Sequence, residues 1–194
     1  LYLLTWKIAP ALAAGNCVIA KPSEITPYTA FLLGEICNKA GLPKGVLNII
    51  HGKGANAGQA IIEHVHIKAI SFTGGTETGK IIARTAAPMF KKLSLELGGK
   101  NPNIIFADCD YEKMLISTVK SSFSNQGQIC LCGSRIFVEA SIFDQFKTDF
   151  IKCVSKLIVG PPSNKSTQIG ALVSKAHYEK VLSFIDRVGS DGSK

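Results

Sequence analysis

The sequence predicts an α/β protein built on a parallel sheet, and three observations lead to that prediction. Short apolar runs of strand length, turns that contain glycine, and segments with helical spacing of apolar residues follow one another about every 25 residues. This order is typical of βαβ units, in which a helix crosses over between two parallel strands. No sequence repeat accompanies it, so the periodicity is a property of the architecture.

The first half of the chain alternates helices and strands. Strands are expected at residues 17–20, 46–50, 69–73 and 92–97, and helices at residues 1–14, 26–40, 57–64 and 76–86. The wholly apolar run at 17–20 predicts a buried parallel strand. Thr26 and Pro27 are expected to cap and open the second helix, whereas Pro10 predicts a kink or an early break in the first.

Two glycines and a proline interrupt the alternation at residues 98–102, which places a domain boundary between residues 1–99 and 100–194. Beyond it the sequence predicts strands at 103–106 and ending at Val138, and helices at 110–123, 141–157 and 174–188. Residues 160–165 are expected to form an exposed loop. Residues 189–194 are expected to be a loop cut within a domain, and the absence of an initiator Met indicates a piece of a longer protein.

Composition excludes several classes of protein. With 46% apolar and 19% charged residues, the 194-residue chain is globular. The net charge of +8 comes from lysines scattered singly or in the pair Lys91-Lys92, without aromatic interleaving, so a solvated surface is favoured over nucleic-acid binding. No apolar run reaches the ~20 residues that span a bilayer, and we expect no membrane partner.

The six cysteines show no CxxC pair and no companion histidine spacing. This pattern predicts neither a metal site nor a disulfide framework, and it favours reduced thiols in the cytoplasm. Cys130 stands out, because glycines and small polar residues flank it and a strand follows, which predicts an accessible loop. A lone cysteine is more often a packing residue than a nucleophile. Cys132 raises the alternative of a redox pair, although C-x-C spacing suits an internal disulfide poorly.

Two glycine-bearing turns follow predicted strands and open predicted helices, at residues 52–58 and 72–79. Backbone N–H groups and the helix dipole make such turns suitable for a phosphate group. Taken singly, each turn is better explained as a tight connection between a strand and a helix.

Lys21 and Glu24 follow the first predicted strand at its carboxyl end, where open α/β sheets bind ligands. A carboxylate there can accept both hydroxyls of an adenosine ribose and repels a 2′-phosphate, which favours NAD over NADP. The alternative is an ordinary surface pair.

Glu96 lies in the apolar strand that precedes Gly98 and Gly99. Burial in such a strand would raise the pKa of its carboxyl group, as suits a general base at neutral pH. A solvent-facing strand residue is the alternative.

The ordered set of motifs resembles the aldehyde dehydrogenase superfamily over the whole chain. The motifs that carry the resemblance are Phe72-Thr73-Gly74 with Gly79, Leu95-Glu96-Leu97-Gly98-Gly99-Lys100, and Asn125-Gln126-Gly127-Gln128-x-Cys130. Residues 92–102 and 129–132 are most similar to the 2-aminomuconic semialdehyde dehydrogenase branch.

The resemblance implies a Rossmann-like NAD-binding part at 1–99, the start of an α/β catalytic domain at 100–194, and an incomplete fold. It implies oxidation of an aldehyde, a muconic semialdehyde in that branch, to a carboxylic acid through a thiohemiacetal and a thioester. Cys130 would be the nucleophile, Glu96 the general base and Lys7 a member of a proton relay. The implied NAD-binding residues are Lys21, Glu24, Gly54, Gly58, Phe72, Thr73, Gly74, Gly75, Gly79, Leu97 and Gly98.

This chain departs from the family pattern at Gly75, where many members have serine. The family's oxyanion-stabilising asparagine would precede Leu1, so the isolated chain is expected to be inactive while its parent is active. The resemblance implies a homodimer or homotetramer for the parent. Two alternatives stay open: a catalytically silent NAD-binding or structural protein, and an acylating enzyme that passes the thioester to coenzyme A.

Overall fold

The computed structural model describes residues 1–190, and it contains α-helices and parallel strands in alternation. The helices are α1 (Tyr2–Ala13), α2 (Tyr28–Lys39), α3 (Gln59–Glu63), α4 (Thr76–Ala86), α5 (Tyr111–Phe123), α6 (Phe143–Val154) and α7 (Lys175–Ser190). The strands are β1 (Val18–Ala20), β2 (Leu47–Ile49), β3 (Ala69–Gly74), β4 (Lys92–Leu97), β5 (Pro102–Ile105) and β6 (Arg135–Val138). Across residues 1–190, no helix is long and apolar enough to cross a membrane.

The strands form parallel pairs, which confirms the α/β prediction. β1 pairs with β2, β3 with β4, and β5 with β6, each in parallel register. A helix lies between the two strands of each pair in sequence, as a parallel connection requires. The carboxyl ends of the two strands in a pair therefore meet at one edge, where ligand-binding residues collect in open α/β sheets.

The chain divides into two compact units, Leu1–Gly98 and Gly99–Lys194. The division falls one position before the one placed from the sequence. The first unit contains the pairs β1–β2 and β3–β4, and the second contains β5–β6. The assignment of the first unit to cofactor binding and of the second to catalysis stays a prediction.

Two expectations about helix ends are wrong, and of the two alternatives for Pro10 the early break does not occur. α1 continues through Pro10 without the early break, and the Ala14 N–H still donates to the Pro10 carbonyl at 3.1 Å. The helix therefore accommodates Pro10, although proline has no N–H to donate and its ring crowds the preceding turn. α2 begins at Tyr28 with Pro27 at the cap position, and Thr26 makes no capping bond. α7 extends to Ser190, so the expected loop at 189–194 is helical at its start; residues 191–194 lie outside the described residues.

Burial of the first strand is also less than the sequence predicts. Ala20 is buried, but Ile19 on the opposite face of β1 is 45% exposed. Side chains alternate between the faces of a strand, so the helices of this chain cover one face of the run and leave the other open. By contrast, Asp110 caps α5 as expected, with its Oδ1 accepting from the Lys113 N–H at 3.2 Å.

A buried lysine closes the carboxyl end of α3. Lys91 is only 8% exposed, and its Nζ donates to the carbonyls of Ile62 at 2.6 Å and His64 at 2.8 Å. Burial, and secondarily the positive charge of Lys68, lower the pKa of Lys91 below its ordinary 10.5. Between that lowered value and 10.5 the unfolded chain binds the proton more tightly, so this group's contribution to stability increases with pH in that window.

Replacing Lys91 by methionine is expected to lower the free energy of unfolding by about 2–3 kcal/mol, because two carbonyls lose a charged donor. Urea unfolding at pH 7 measures the change. Lys92→Met is the matched control: Lys92 is the next residue and is exposed on β4, so its replacement should change stability by less than about 0.5 kcal/mol. Equal losses in the two variants would contradict the capping role of Lys91.

Candidate active site

Lys21, Glu24 and the turn at Gly52–Gly54 come together where β1 and β2 end. Nζ of Lys21 donates to the carbonyl of Gly52 at 3.2 Å and lies 3.4 Å from Oε2 of Glu24. The N–H groups of Glu24 itself and of Gly54 lower the pKa of the Glu24 carboxyl, and Lys21 adds to that effect. The Glu24 side chain is 47% exposed, so an ionised carboxylate at a strand end stays open to a ligand.

The turn after β2 approaches the Lys21 side chain from the other side. Residues Gly54–Gly58 form a single π-helical turn that leads into α3. A Cβ at Gly58 would lie 3.7 Å from Cε of Lys21, which is ordinary contact distance. The structure thus brings Gly54 and Gly58 of this turn to the pair Lys21 and Glu24, a contact that the sequence alone does not predict.

The second glycine turn joins β3 to α4, and close contacts explain two of its glycines. A Cβ at Gly74 would clash with the Phe72 ring, and one at Gly79 would lie 2.6 Å from the side chain of Leu97 on β4. Gly79 therefore lets the first turn of α4 approach β4. Open space surrounds Gly75, which occupies the N-cap position of α4. The first N–H groups of α4 are a suitable place for a phosphate.

Replacing Gly75 by serine is expected to raise the free energy of unfolding by about 0.5 kcal/mol, because a serine hydroxyl at the N-cap accepts from the first turn of the helix. Gly75 has an extended backbone, and a Cβ added there would meet no atom within 4 Å, so no clash opposes the change. Gly75→Ala is the control, since it restricts the unfolded chain without adding an acceptor. Urea unfolding should rank serine above alanine; the reverse order would contradict the cap.

Glu96 lies opposite Thr73 in the β3–β4 register, and its predicted burial is wrong. Leu93, Leu95 and Leu97 occupy the half-buried face of β4, and Glu96 falls on the exposed face. The two-residue period of a strand decides this, because the apolar neighbours of Glu96 all point the other way. The carboxylate is consequently accessible, next to the Thr73 position.

Lys7 makes one contact with the same strand pair. Its Nζ donates to Oγ of Ser71 on β3 at 3.0 Å. The register pairs Ser71 with Ser94, two positions before Glu96 on β4. Lys7 is therefore fixed to the strands that carry Thr73 and Glu96; its place in a proton relay stays a prediction.

Cys130 is exposed on a tight turn of the second unit, as the sequence predicts. The turn runs from Ile129 to Cys132, closed by the Cys132 N–H, which donates to the Ile129 carbonyl at 3.1 Å. Within residues 1–190, the Cys130 N–H has no protein acceptor. Cys132, by contrast, is 6% exposed with its thiol 3.9 Å from the Ser124 carbonyl, so it is a packing residue.

The segment before this turn has an unusual backbone. Asn125, Gln126 and Gly127 have φ values of 50°, 58° and 76°, in the left-handed region that non-glycine residues rarely adopt. The Asn125 carbonyl accepts from the Gln128 N–H at 2.9 Å, which holds the bend closed. Strained backbone of this kind concentrates at functional sites. Here it ends at Gly127, shortly before the turn that carries Cys130.

Sequence reasoning missed the partners that hold these residues. Ser71 beside Lys7, the Gly52 carbonyl beside Lys21 and the Asn101 side chain beside Cys130 were given no role. Asn101 lies 29 residues from Cys130, and no spacing rule connects them. Asn101 does lie within residues 92–102, which resemble the family, and that position was the one sign in the sequence that it has a role.

The features of each unit, taken separately, define the class of protein. The first unit has parallel strands with a glycine turn and a carboxylate at their carboxyl ends, and the second has an accessible cysteine on a turn that follows left-handed backbone. The sequence model of the aldehyde dehydrogenase family matches residues 1–194, and the chain belongs to that family. The resemblance stated from the motifs is thereby confirmed.

Individual relatives agree with the family assignment. The chain is 54% identical over 194 residues to 2-aminomuconic semialdehyde dehydrogenase of Homo sapiens and 50% identical to 2-aminomuconic 6-semialdehyde dehydrogenase of a Pseudomonas species. Both matches cover 100% of this chain but 40% of the relative's length. The crystal structure of betaine aldehyde dehydrogenase from Staphylococcus aureus in complex with NAD+ superposes with a TM-score of 0.94 at 42% identity, covering 97% of this chain and 37% of that one. The similarity to the 2-aminomuconic branch and the incomplete fold are confirmed.

Proposed function

We propose that this chain is part of an NAD-dependent, non-acylating aldehyde dehydrogenase in which Cys130 is the nucleophile. One observation carries the proposal. In this chain of the family, Cys130 is exposed on a turn, and the N–H of Cys130 has no protein acceptor among residues 1–190. A thiol that can be reached, beside an unpaired N–H donor, is the arrangement that attack on a carbonyl needs.

The residues of the first unit fit NAD. Glu24 presents an ionised, partly exposed carboxylate for the hydroxyls of the adenosine ribose, with Lys21 beside it. The N-terminal turn of α4, with Gly74, Gly75 and Gly79, leaves room for a pyrophosphate near N–H groups that have no partner within the helix. Phe72, Thr73, Leu97 and Gly98 complete the proposed cofactor side. NAD supplies a hydride acceptor when bound.

The proposed chemistry uses Cys130 and Glu96 in turn. The Cys130 thiolate adds to the aldehyde carbonyl, and the Cys130 N–H donates to the oxyanion of the resulting thiohemiacetal. Loss of hydride from the same carbon leaves a thioester on Cys130. Glu96 then accepts a proton from water, the hydroxide adds to the thioester, and the carboxylic acid departs as the thiolate is restored.

We propose a muconic semialdehyde as substrate, since the two muconic relatives are 54% and 50% identical to this chain. Such a substrate carries a carboxylate besides its aldehyde. The full-length protein is proposed to be a cytoplasmic homodimer or homotetramer, which gel filtration with light scattering can test.

The proposal is tested by incubating the full-length protein with NAD and either 2-aminomuconic semialdehyde or propanal, and recording the absorbance of NADH. We expect NADH in proportion to acid formed, without coenzyme A, and a higher kcat/KM for the semialdehyde. No NADH from either aldehyde would favour the catalytically silent alternative, to which the missing hydroxyl at Gly75 gives some support. A requirement for coenzyme A would favour the acylating one.

Replacing Glu24 by glutamine is expected to reduce the preference for NAD over NADP by about 10-fold, because the repulsion of a 2′-phosphate and a charged acceptor for the ribose are both lost. The ratio of kcat/KM values for the two cofactors measures this. Glu35→Gln on α2 is the control, because Glu35 is exposed and has no role in the proposed site. An unchanged ratio in Glu24→Gln would contradict the ribose contact.

A further inference from the structure

The side chain of Asn101 holds the Cys130 turn at two points. Its Nδ2 donates to the Cys130 carbonyl at 2.5 Å and to the Cys132 carbonyl at 3.1 Å. A primary amide carries two N–H bonds on one nitrogen, so it can serve both acceptors at once. The two carbonyls lie on either side of Leu131, and one side chain therefore fixes the second half of the turn.

Asn101 is itself fixed to the β5–β6 pair. It directly precedes β5, and its carbonyl accepts from the Arg135 N–H at 3.1 Å. Nε of Arg135 also donates to the Lys100 carbonyl at 2.9 Å. The backbone carbonyls of Lys100 and Asn101 are thus both bound to Arg135, the first residue of β6. A side chain anchored on paired strands holds its hydrogen-bond partners in a more precise position than one on a free loop.

The orientation of the turn decides where the Cys130 N–H points. The Ile129 carbonyl accepts from the Cys132 N–H, so it faces into the turn. In a trans peptide the carbonyl and the following N–H point in opposite directions. The Cys130 N–H therefore points away from the turn interior, and its direction changes if the turn rotates. The bonds from Asn101 oppose that rotation.

We propose that Asn101 is a positioning residue for the reaction of Cys130. By holding the Cys130 and Cys132 carbonyls, it keeps the Cys130 N–H directed at the oxyanion that forms when the thiol adds to an aldehyde. Asn101 acts through the turn and contacts no reacting atom. This role rests on the proposed function, and it adds a residue to which neither the motifs nor the resemblance assigned one.

The test separates a reaction that forms an oxyanion from one that does not. In the full-length protein, rapid mixing with NAD and propanal gives the rate of the first NADH turnover, which requires the oxyanion. Alkylation of Cys130 by iodoacetamide, followed by mass spectrometry of the Cys130 peptide, requires only an accessible thiolate. Asn101→Asp is the variant, because it keeps the shape and removes both donors. Asn103→Asp is the control, since Asn103 donates from the same region to Thr118 Oγ1 at 3.3 Å and not to the turn.

We expect Asn101→Asp to slow the first turnover by about 10–100-fold, while alkylation changes by less than about 3-fold and the Kd for NAD is unchanged. Asn103→Asp should keep the parental rate of first turnover. If thermal unfolding shows that Asn101→Asp does not fold, Asn101→Ser, which keeps one shorter donor, replaces it with a smaller expected loss.

Three results would overturn the role of Asn101. The first is a parental first turnover in the folded variant. The second is an equal loss of turnover and alkylation, which would mean that Asn101 only maintains the fold or the exposure of the thiol. The third is an equal loss in Asn103→Asp. If the parent itself forms no NADH with any aldehyde, the proposed function fails, and the positioning role fails with it.

Discussion

Replacing Cys130 by alanine in the full-length protein is expected to abolish NADH formation, with a loss on the order of 10⁴-fold or more. The thiol is exposed on its turn, so its replacement by alanine leaves no buried cavity. Without the sulfur no thiohemiacetal forms, and the aldehyde carbon is not activated for the loss of a hydride. Steady-state absorbance of NADH measures the loss. The Kd for NAD, measured by fluorescence quenching, should be unchanged.

Cys17→Ala is the matched control for this experiment. Cys17 is also an exposed free cysteine, but it precedes β1 in the first unit and has no role in the proposed reaction. Its replacement should leave turnover within about 2-fold, as is usual for exposed positions away from a site. Parental NADH formation by Cys130→Ala would show that another group is the nucleophile.

Replacing Glu96 by glutamine is expected to stop turnover after the thioester forms, because glutamine cannot accept the proton of the attacking water. General-base catalysis contributes about 10²–10⁴-fold, and steady-state turnover should fall by that factor. A rapid burst of one NADH per active site should persist, since the earlier steps do not use Glu96. Stopped-flow absorbance records the burst, and mass spectrometry of the quenched protein should show an acyl group on Cys130.

Glu112→Gln provides the control, because Glu112 is exposed in the first turn of α5 and has no role in the site. Its time course of NADH formation should match that of the parent. Parental steady-state turnover in Glu96→Gln would remove Glu96 as the base. Loss of the burst as well would assign Glu96 to thiol activation or to cofactor binding instead of hydrolysis.

Much of the fold could be predicted because its signals are local. Apolar runs of strand length, glycine turns and helical spacing are read within a few residues, and they predict the order of strands and helices along the chain and the parallel arrangement of the strands. Asp110 was recognisable as a cap because its carboxylate accepts from an N–H three positions away. Pro10 is a local signal for a break, yet α1 continues to Ala13.

The site was predictable as a set of residue types and not as an arrangement. Glu96 was expected to be buried because leucines surround it in sequence, yet strand alternation places it on the exposed face of β4. The sequence does not connect Asn101 with the Cys130 turn, because its two acceptors lie 29 and 31 residues away. In the sequence nothing distinguishes Lys91 from its neighbour Lys92. Only the fold brings the carbonyl groups at the end of α3 to the Lys91 side chain.

By itself the sequence determined the α/β class, the family and the residue types of the site, since these depend on periodicity and on motifs read along the chain. Only the tertiary structure decided which groups meet: Lys21 with the Gly52 carbonyl, Lys7 with Ser71, and Asn101 with the Cys130 turn. A hydrogen bond requires its donor and acceptor to lie within about 3 Å of each other. For residues far apart in sequence, only the packing of the folded chain sets that distance.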